Sequence, residues 1–237
     1  MATDIQQTPF VKQLAANDRP TRDAAVDSLR TYLSGRRELP PLELLKLWKG
    51  LFYCMWMSDR PLTQQALATS LADLVAILPA ENSIPFLRAF WQTMQREWTN
   101  IDVLRMEKFL LLTRRYLGAT FKLLKKGKWE EGLIEEHFKM LGEGPCNVLD
   151  MTVPNGMRFH FIDIYVDELK KVGALENDGE DVPLELLLKP IRALAKGNPT
   201  KPVRTKAKEA LADERLPGND KVEDPPEEDD GWEGFKD

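Results

Sequence analysis

Apolar residues recur along most of this chain at intervals of three and four, which places them on one side of an α-helix. A short helix is predicted over 8–16. A second opens after Pro20, carries Ala25, Leu29, Tyr32 and Leu33 on one side, and stops at Gly35. Pro40 and Pro41 start a third helix, and Pro61 starts a fourth that runs to Leu78. Asn82 or Ser83 is expected to cap a fifth around Pro85, reaching Trp98, and Thr99 or Asn100 to open the longest, reaching Lys126. Weaker helical patterns follow over 129–141, 156–172, 183–196 and 202–212. No segment alternates with period two between hairpin turns, so no strand is predicted. The links are short and carry Pro, Gly, Asn or Asp, which makes consecutive helices antiparallel neighbours. The expected fold is all-α, a HEAT/armadillo-like stack of antiparallel helical hairpins. No signature returns at a fixed period, so the stack should be irregular.

The densest apolar stretch, KLWKGLFYCMWMSDRP over 46–61, falls in the third helix. Leu44, Leu47, Trp48, Leu51 and Met55 share one face, and Leu45, Phe52 and Trp56 form a second beside it. A helix apolar on two faces has packed neighbours on both, so this stretch is expected to be interior rather than a cofactor box. Its longest unbroken apolar run, 51–57, falls far short of the ~20 residues that span a bilayer. No basic segment followed by an apolar run opens the chain, so no signal peptide is expected.

At 237 residues the chain is long enough to bury a substantial core. Its two cysteines, Cys54 and Cys146, provide no disulfide framework, which suits a reducing compartment. Charge is unevenly spread. Residues 213–237 hold eleven acids and three bases, a net of −8 against −5 for the whole chain, leaving +3 for residues 1–212. Three parts are expected: a core helical-repeat domain over 1–172, weaker helices over 173–212, and a disordered acidic tail over 213–237.

Signatures of catalysis are scarce. The chain holds no GxSxG, GxxxxGK[ST] or GxGxxG motif and no CxxC pair. His137, His160, Cys54 and Cys146 have no metal-ligand spacing, so neither a metal nor another cofactor is expected. The best candidate is HFIDIYVDEL over 160–169, where His160, Asp163 and Asp167 stand at helical spacing. No nucleophile or oxyanion donor accompanies them, so an intrahelical ion pair is the expected role.

Basic faces say more. Residues 114–128 hold six basic side chains and no acid. Arg114, Arg115, Lys122, Lys125 and Lys126 fall within an arc of about 120° on one helix, opposite Met106, Phe109, Tyr116, Leu117, Phe121 and Leu124. Such a face suits RNA phosphates or an acidic partner. A second run, 189–208, holds seven Lys or Arg and no acid. Within the acidic tail, Trp232 and Phe235 stand three apart and could anchor a short partner motif.

The segments FVKQLAANDRPTRDAAVDSLRTYL, LLKLWKGLFYCMWMSDRPLTQQALA, FLRAFWQTMQREWTNIDVLRMEKFLLLTRRYL and NGMRFHFIDIYVDEL closely resemble the ribosomal RNA-processing protein one family, in order and over about residues 8–172. The resemblance implies an irregular helical-repeat fold, no enzymatic activity and a nucleolar location within the nucleus. It also implies, as partners, the pre-large-subunit ribosomal particle, with its pre-rRNA and neighbouring assembly factors. Such proteins are expected to support pre-rRNA maturation at the internal spacer. Neither a membrane nor a small-molecule substrate is implied. Two other classes compete: a cytosolic HEAT-like protein-binding adaptor, and an rRNA nuclease, which would need clustered carboxylates or histidines.

Overall fold

The computed structural model describes residues 9–35, 38–176 and 182–219. Within them the chain forms α1 (Pro9–Leu14), α2 (Arg19–Gly35), α3 (Pro41–Trp56), α4 (Pro61–Ala72), α5 (Leu74–Ile77) and α6 (Ala80–Glu97). A short 3₁₀ turn over Trp98–Asn100 leads into α7 (Val103–Lys126) and α8 (Glu131–Gly142). Then come α9 (Asn155–Lys171), α10 (Leu184–Leu187), α11 (Lys189–Gly197) and α12 (Lys201–Leu211). No strand occurs among the described residues.

The helices form two layers. One runs α1, α3, α6, α8, α11, and the other runs α2, α5 and α4, α7, α9, α12. Within a layer, stacked helices run parallel. Lys108 of α7 meets Ser58, just before α4, and Tyr116 meets Leu71 near the end of α4. Likewise α7 meets α9 at Leu110–His160, Arg114–Glu168 and Lys125–Val172. This is the layering of a HEAT-like stack, in which each hairpin lays both helices on those of the next. Between the layers lies an aromatic core. Trp48 is enclosed by Phe86, Phe90 and Tyr116 at ring distances of 5.1, 4.9 and 5.0 Å, and its indole N–H donates to Phe86 O at 3.0 Å. Trp56, at the end of α3, is only half-buried, with the Arg105 guanidinium 4.7 Å from its ring centre.

Several boundaries differ from those expected, each for a local reason. The helix predicted over 61–78 breaks at Asp73, where the Tyr116 hydroxyl donates to Leu71 O at 2.5 Å and interrupts the ladder. Helix α6 begins at Ala80, so Asn82 and Ser83 are buried helical residues rather than caps, and Pro85 lies inside the helix. The cap of α7 is Asp102, whose carboxylate accepts from Arg105 N at 3.0 Å, rather than Thr99 or Asn100. Glu130 caps α8 in the same way, through Gly132 N and Leu133 N. The helix predicted over 183–196 divides at Leu188, because Pro190 has no N–H to continue the ladder.

Both cysteines are buried free thiols, and burial pushes Cys54 up to about 12. Both histidines are held neutral. His137 is fully buried, donates from Nδ1 to Leu133 O at 2.8 Å, and leaves Nε2 without a hydrogen bond. His160 donates from Nε2 to Leu110 O at 2.9 Å. Burial lowers both pKa values despite the nearby carboxylates of Glu136 for His137 and of Asp163 and Glu107 for His160. Below a pH of about 6.5 the unfolded chain therefore binds protons that the native chain resists. The melting temperature should fall between about pH 7.5 and about pH 5.5, and His137→Gln should flatten that slope. Asp167 and Asp213, whose pKa values are depressed, lose their contribution only below a pH of about 4, outside this window. A flat melting profile over that range would contradict the neutral assignment.

Candidate nucleic-acid interface

Helix α7 lies in the middle of its layer, with α4 on one flank and α9 on the other. Its inner side is committed to the core: Phe109, Tyr116, Leu117, Phe121 and Leu124 are fully buried. The five cations singled out in the sequence occupy the remaining arc, but α9 divides them. At about 100° per residue, Arg114 and Lys125 lie close together, while Lys122, Arg115 and Lys126 lie some 80–120° further round.

The first pair serves the fold. Arg114 Nη2 meets Asp167 at 2.5 Å, and its Nε meets Glu168 at 2.6 Å. Glu168 is almost fully buried and also pairs with Lys171 at 2.6 Å. Its carboxylate can come this close to α7 because residue 118 is glycine, where a Cβ would lie 2.7 Å from Glu168 Oε2. Burial would raise the pKa of Asp167, but hydrogen bonds from Arg215 and Arg114 hold it below the usual range. Lys125 donates to Val172 O at 2.9 Å, satisfying a carbonyl at the end of α9.

The second group faces outward. Arg115, Lys122 and Lys126 are exposed, and none forms an ion pair among the described residues. With Ala119 and Leu123 they line one wall of a groove whose other wall is Thr69, Ala72, Asp73, Val75 and Ala76, from α4, α5 and the break between them. Each is a fixed positive charge on a rigid helix beside open solvent, which suits phosphate oxygens.

The 189–208 run is more dispersed. Arg192 pairs with Glu185 at 2.7 Å, Lys206 with Asp163 at 2.5 Å, and Arg204 donates to Asn198 O and Pro199 O. Lys189, Lys196, Lys201 and Lys208 are exposed. The His160, Asp163 and Asp167 group does not assemble. His160 binds the Leu110 carbonyl, Asp163 the ammonium of Lys206, and Asp167 two arginines. The intrahelical pair expected for His160 and Asp163 gives way to bonds with neighbouring helices. Trp232 and Phe235 lie outside the described residues.

Among the buried cations that escaped the sequence reading are Lys108 and Arg158. Lys108 is 3% exposed and donates to Trp56 O at 2.6 Å and Ser58 O at 2.7 Å, closing the end of α3. Burial lowers its pKa. Arg158, fully buried, donates to Asn147 O, Asp150 O and Val153 O at 2.7, 2.6 and 3.0 Å, and so ties down the loop between α8 and α9. Each reads in sequence as an ordinary polar position of an amphipathic helix. Their partners are loop and helix-end carbonyls that only the tertiary path brings near.

The fold is an all-α helical stack with outward-facing cations on α7, and comparison with known proteins places the chain in a family. The family model described as "Nucleolar protein, Nop52" matches residues 5–234, and the chain belongs to that family. Ribosomal RNA processing protein 1 homolog A of Homo sapiens is 45% identical over 185 residues, 74% of this chain and 40% of that protein. Homolog B of Homo sapiens is also 45% identical, over 174 residues, 70% of this chain and 23% of that protein. The Caenorhabditis elegans homolog is 32% identical over 170 residues, 70% of this chain and 43% of that protein. The chain thus spans less than half the length of each of these relatives. No helix among the described residues is long and apolar enough to cross a membrane.

Proposed function

We propose that this chain is a non-catalytic scaffold of large-ribosomal-subunit assembly in the nucleolus. It supports pre-rRNA processing by docking on pre-ribosomal RNA and on neighbouring assembly factors. The observation that carries this reading is the outward face of α7. Arg115, Lys122 and Lys126 project along one groove without ion pairs among the described residues, on a helix whose opposite side is core. Arg114 and Lys125 act behind them by fixing α7 against α9. The family description as nucleolar, and relatives named for ribosomal RNA processing, favour this over a cytosolic adaptor. Against a nuclease stands the use of His160, Asp163 and Asp167 in bonds that hold α9 to α7, α12 and the chain beyond it.

Ultraviolet cross-linking tests the RNA contact. Particles purified through the tagged full chain should yield nucleotide adducts on the peptide that spans residues 115–126. Adducts confined to residues 189–208 would move the contact to α11 and α12. Particles that carry the protein without any adduct would remove RNA as its direct partner.

A further inference from the structure

Helix α7 outlasts its neighbour on one flank. α4 ends at Ala72, level with Tyr116, whose hydroxyl donates to Leu71 O. From Tyr116, α7 runs about 15 Å further, to Lys126. Along that length the α4 side offers α5, a single turn over Leu74–Ile77. The α9 side, by contrast, stays covered to the end, where Lys125 reaches Val172 O. The layer is therefore short of helix beside the last turns of α7.

A hollow of about 570 Å³ occupies that place, between α5, the first turn of α6, the end of α7 and α8. Its size falls within the range of about 300–1,000 Å³ typical of ligand pockets. Val75, Leu78 and Ile84 form the buried floor, and Leu123 and Leu133 are half-buried walls. The charges decide what fits. Glu81 and Glu136 are exposed, and neither forms an ion pair among the described residues. Among the described residues of the lining, Lys126 is the only cation, and it stands where the hollow meets the groove. In the groove the balance is reversed, with Arg115, Lys122 and Lys126 against Asp73. Phosphate suits the groove, but in the hollow two carboxylates repel it and the apolar floor gives it no contact. Apolar anchors flanked by Lys or Arg satisfy both floor and carboxylates. A helix of two to three turns, with anchors at i, i+3, i+4 and i+7, spans the missing 15 Å.

We propose that this hollow is the docking site of a basic amphipathic helix from another protein. Its apolar face lies on Leu78, Ile84, Leu123 and Leu133, and its cations meet Glu81 and Glu136. It supplies the length of helix that the layer lacks. The proposal gives the chemistry of an assembly-factor contact, and rests on the function proposed above for where that partner is met.

The test titrates the full chain with three fluorescein-labelled helical peptides of about 14 residues, or ~21 Å. One carries leucines on one face and lysines on the other. The second replaces the leucines by alanine, and the third replaces the lysines by glutamate. The leucine–lysine peptide should bind wild type about tenfold more tightly than either of the others. E81K/E136K should weaken it about tenfold, and the milder E81Q/E136Q about threefold. D27K/E209K makes the same change in net charge at exposed positions of α2 and α12, and should leave binding unchanged. Equal binding of the three peptides, or the same effect from both charge reversals, would overturn the proposal. In purified particles, a photo-reactive benzoylphenylalanine placed at the exposed Ala80 of the hollow should capture a protein segment with leucine-like anchors and flanking Lys or Arg. Capture of RNA, of an acidic segment or of nothing would overturn it. If position 80 captures nothing while residues 115–126 cross-link to RNA, the RNA reading stands and the helix site falls. If position 80 captures a basic helix while no RNA adduct forms, the helix site stands and the RNA contact falls.

Discussion

Trp48→Ala lowers the melting temperature by about 10–15 °C, corresponding to about 3–5 kcal/mol for truncating a buried tryptophan in a chain of this size. Trp48 is 1% exposed, touches three aromatic rings, and joins α3 to α6 through its bond to Phe86 O. Its removal takes away the transfer free energy of the indole and the geometry-specific part of each ring pair. It also leaves a cavity between two layers that cannot close without moving whole helices. The matching variant Trp56→Ala should cost less, about 1–2 kcal/mol, because Trp56 is half-buried and meets solvent through Arg105. Thermal melts of the two purified variants provide the comparison. Equal losses would place Trp56 in the core, and an unchanged Trp48→Ala melt would contradict the layered packing itself.

That contrast shows where sequence patterns stop being informative. The two apolar faces of α3 are legible at intervals of three and four, and Leu44, Leu47, Trp48, Leu51 and Met55 are all buried. Depth along the helix is not legible, so Trp48 and Trp56 look alike until α7 and its Arg105 are placed. Proline misled at α6, where Pro85 suggested a first turn but sits inside a helix that Pro79 precedes. At Asp73 the break depends on a hydroxyl from Tyr116, forty-five residues beyond the Leu71 carbonyl that accepts it, which no local propensity reports. The basic arc of α7 is legible as an arc. Its division is not, because the acids that take Arg114 are Asp167 and Glu168 of another helix.

The same division makes the second large effect specific. Reversing Arg115, Lys122 and Lys126 to Glu should weaken association with pre-ribosomal particles about tenfold or more at moderate salt. The fold should survive, because all three are exposed and form no ion pair among the described residues, and exposed changes usually shift stability by less than about 0.5 kcal/mol. Arg114→Glu would confound the experiment, since it would set three carboxylates together beside α9. Salt supplies the internal check. Each lost phosphate contact should reduce the slope of log affinity against log salt by about 0.7–0.9.

The role of the outward face of α7 is tested by the affinity of the full chain for purified pre-large-subunit particles, measured across a salt series for wild type and the triple variant. A weaker and flatter salt dependence for the variant, with an unchanged melting temperature, is the predicted result. Superimposable curves would show that the outward face of α7 is merely solvated and does not hold the particle.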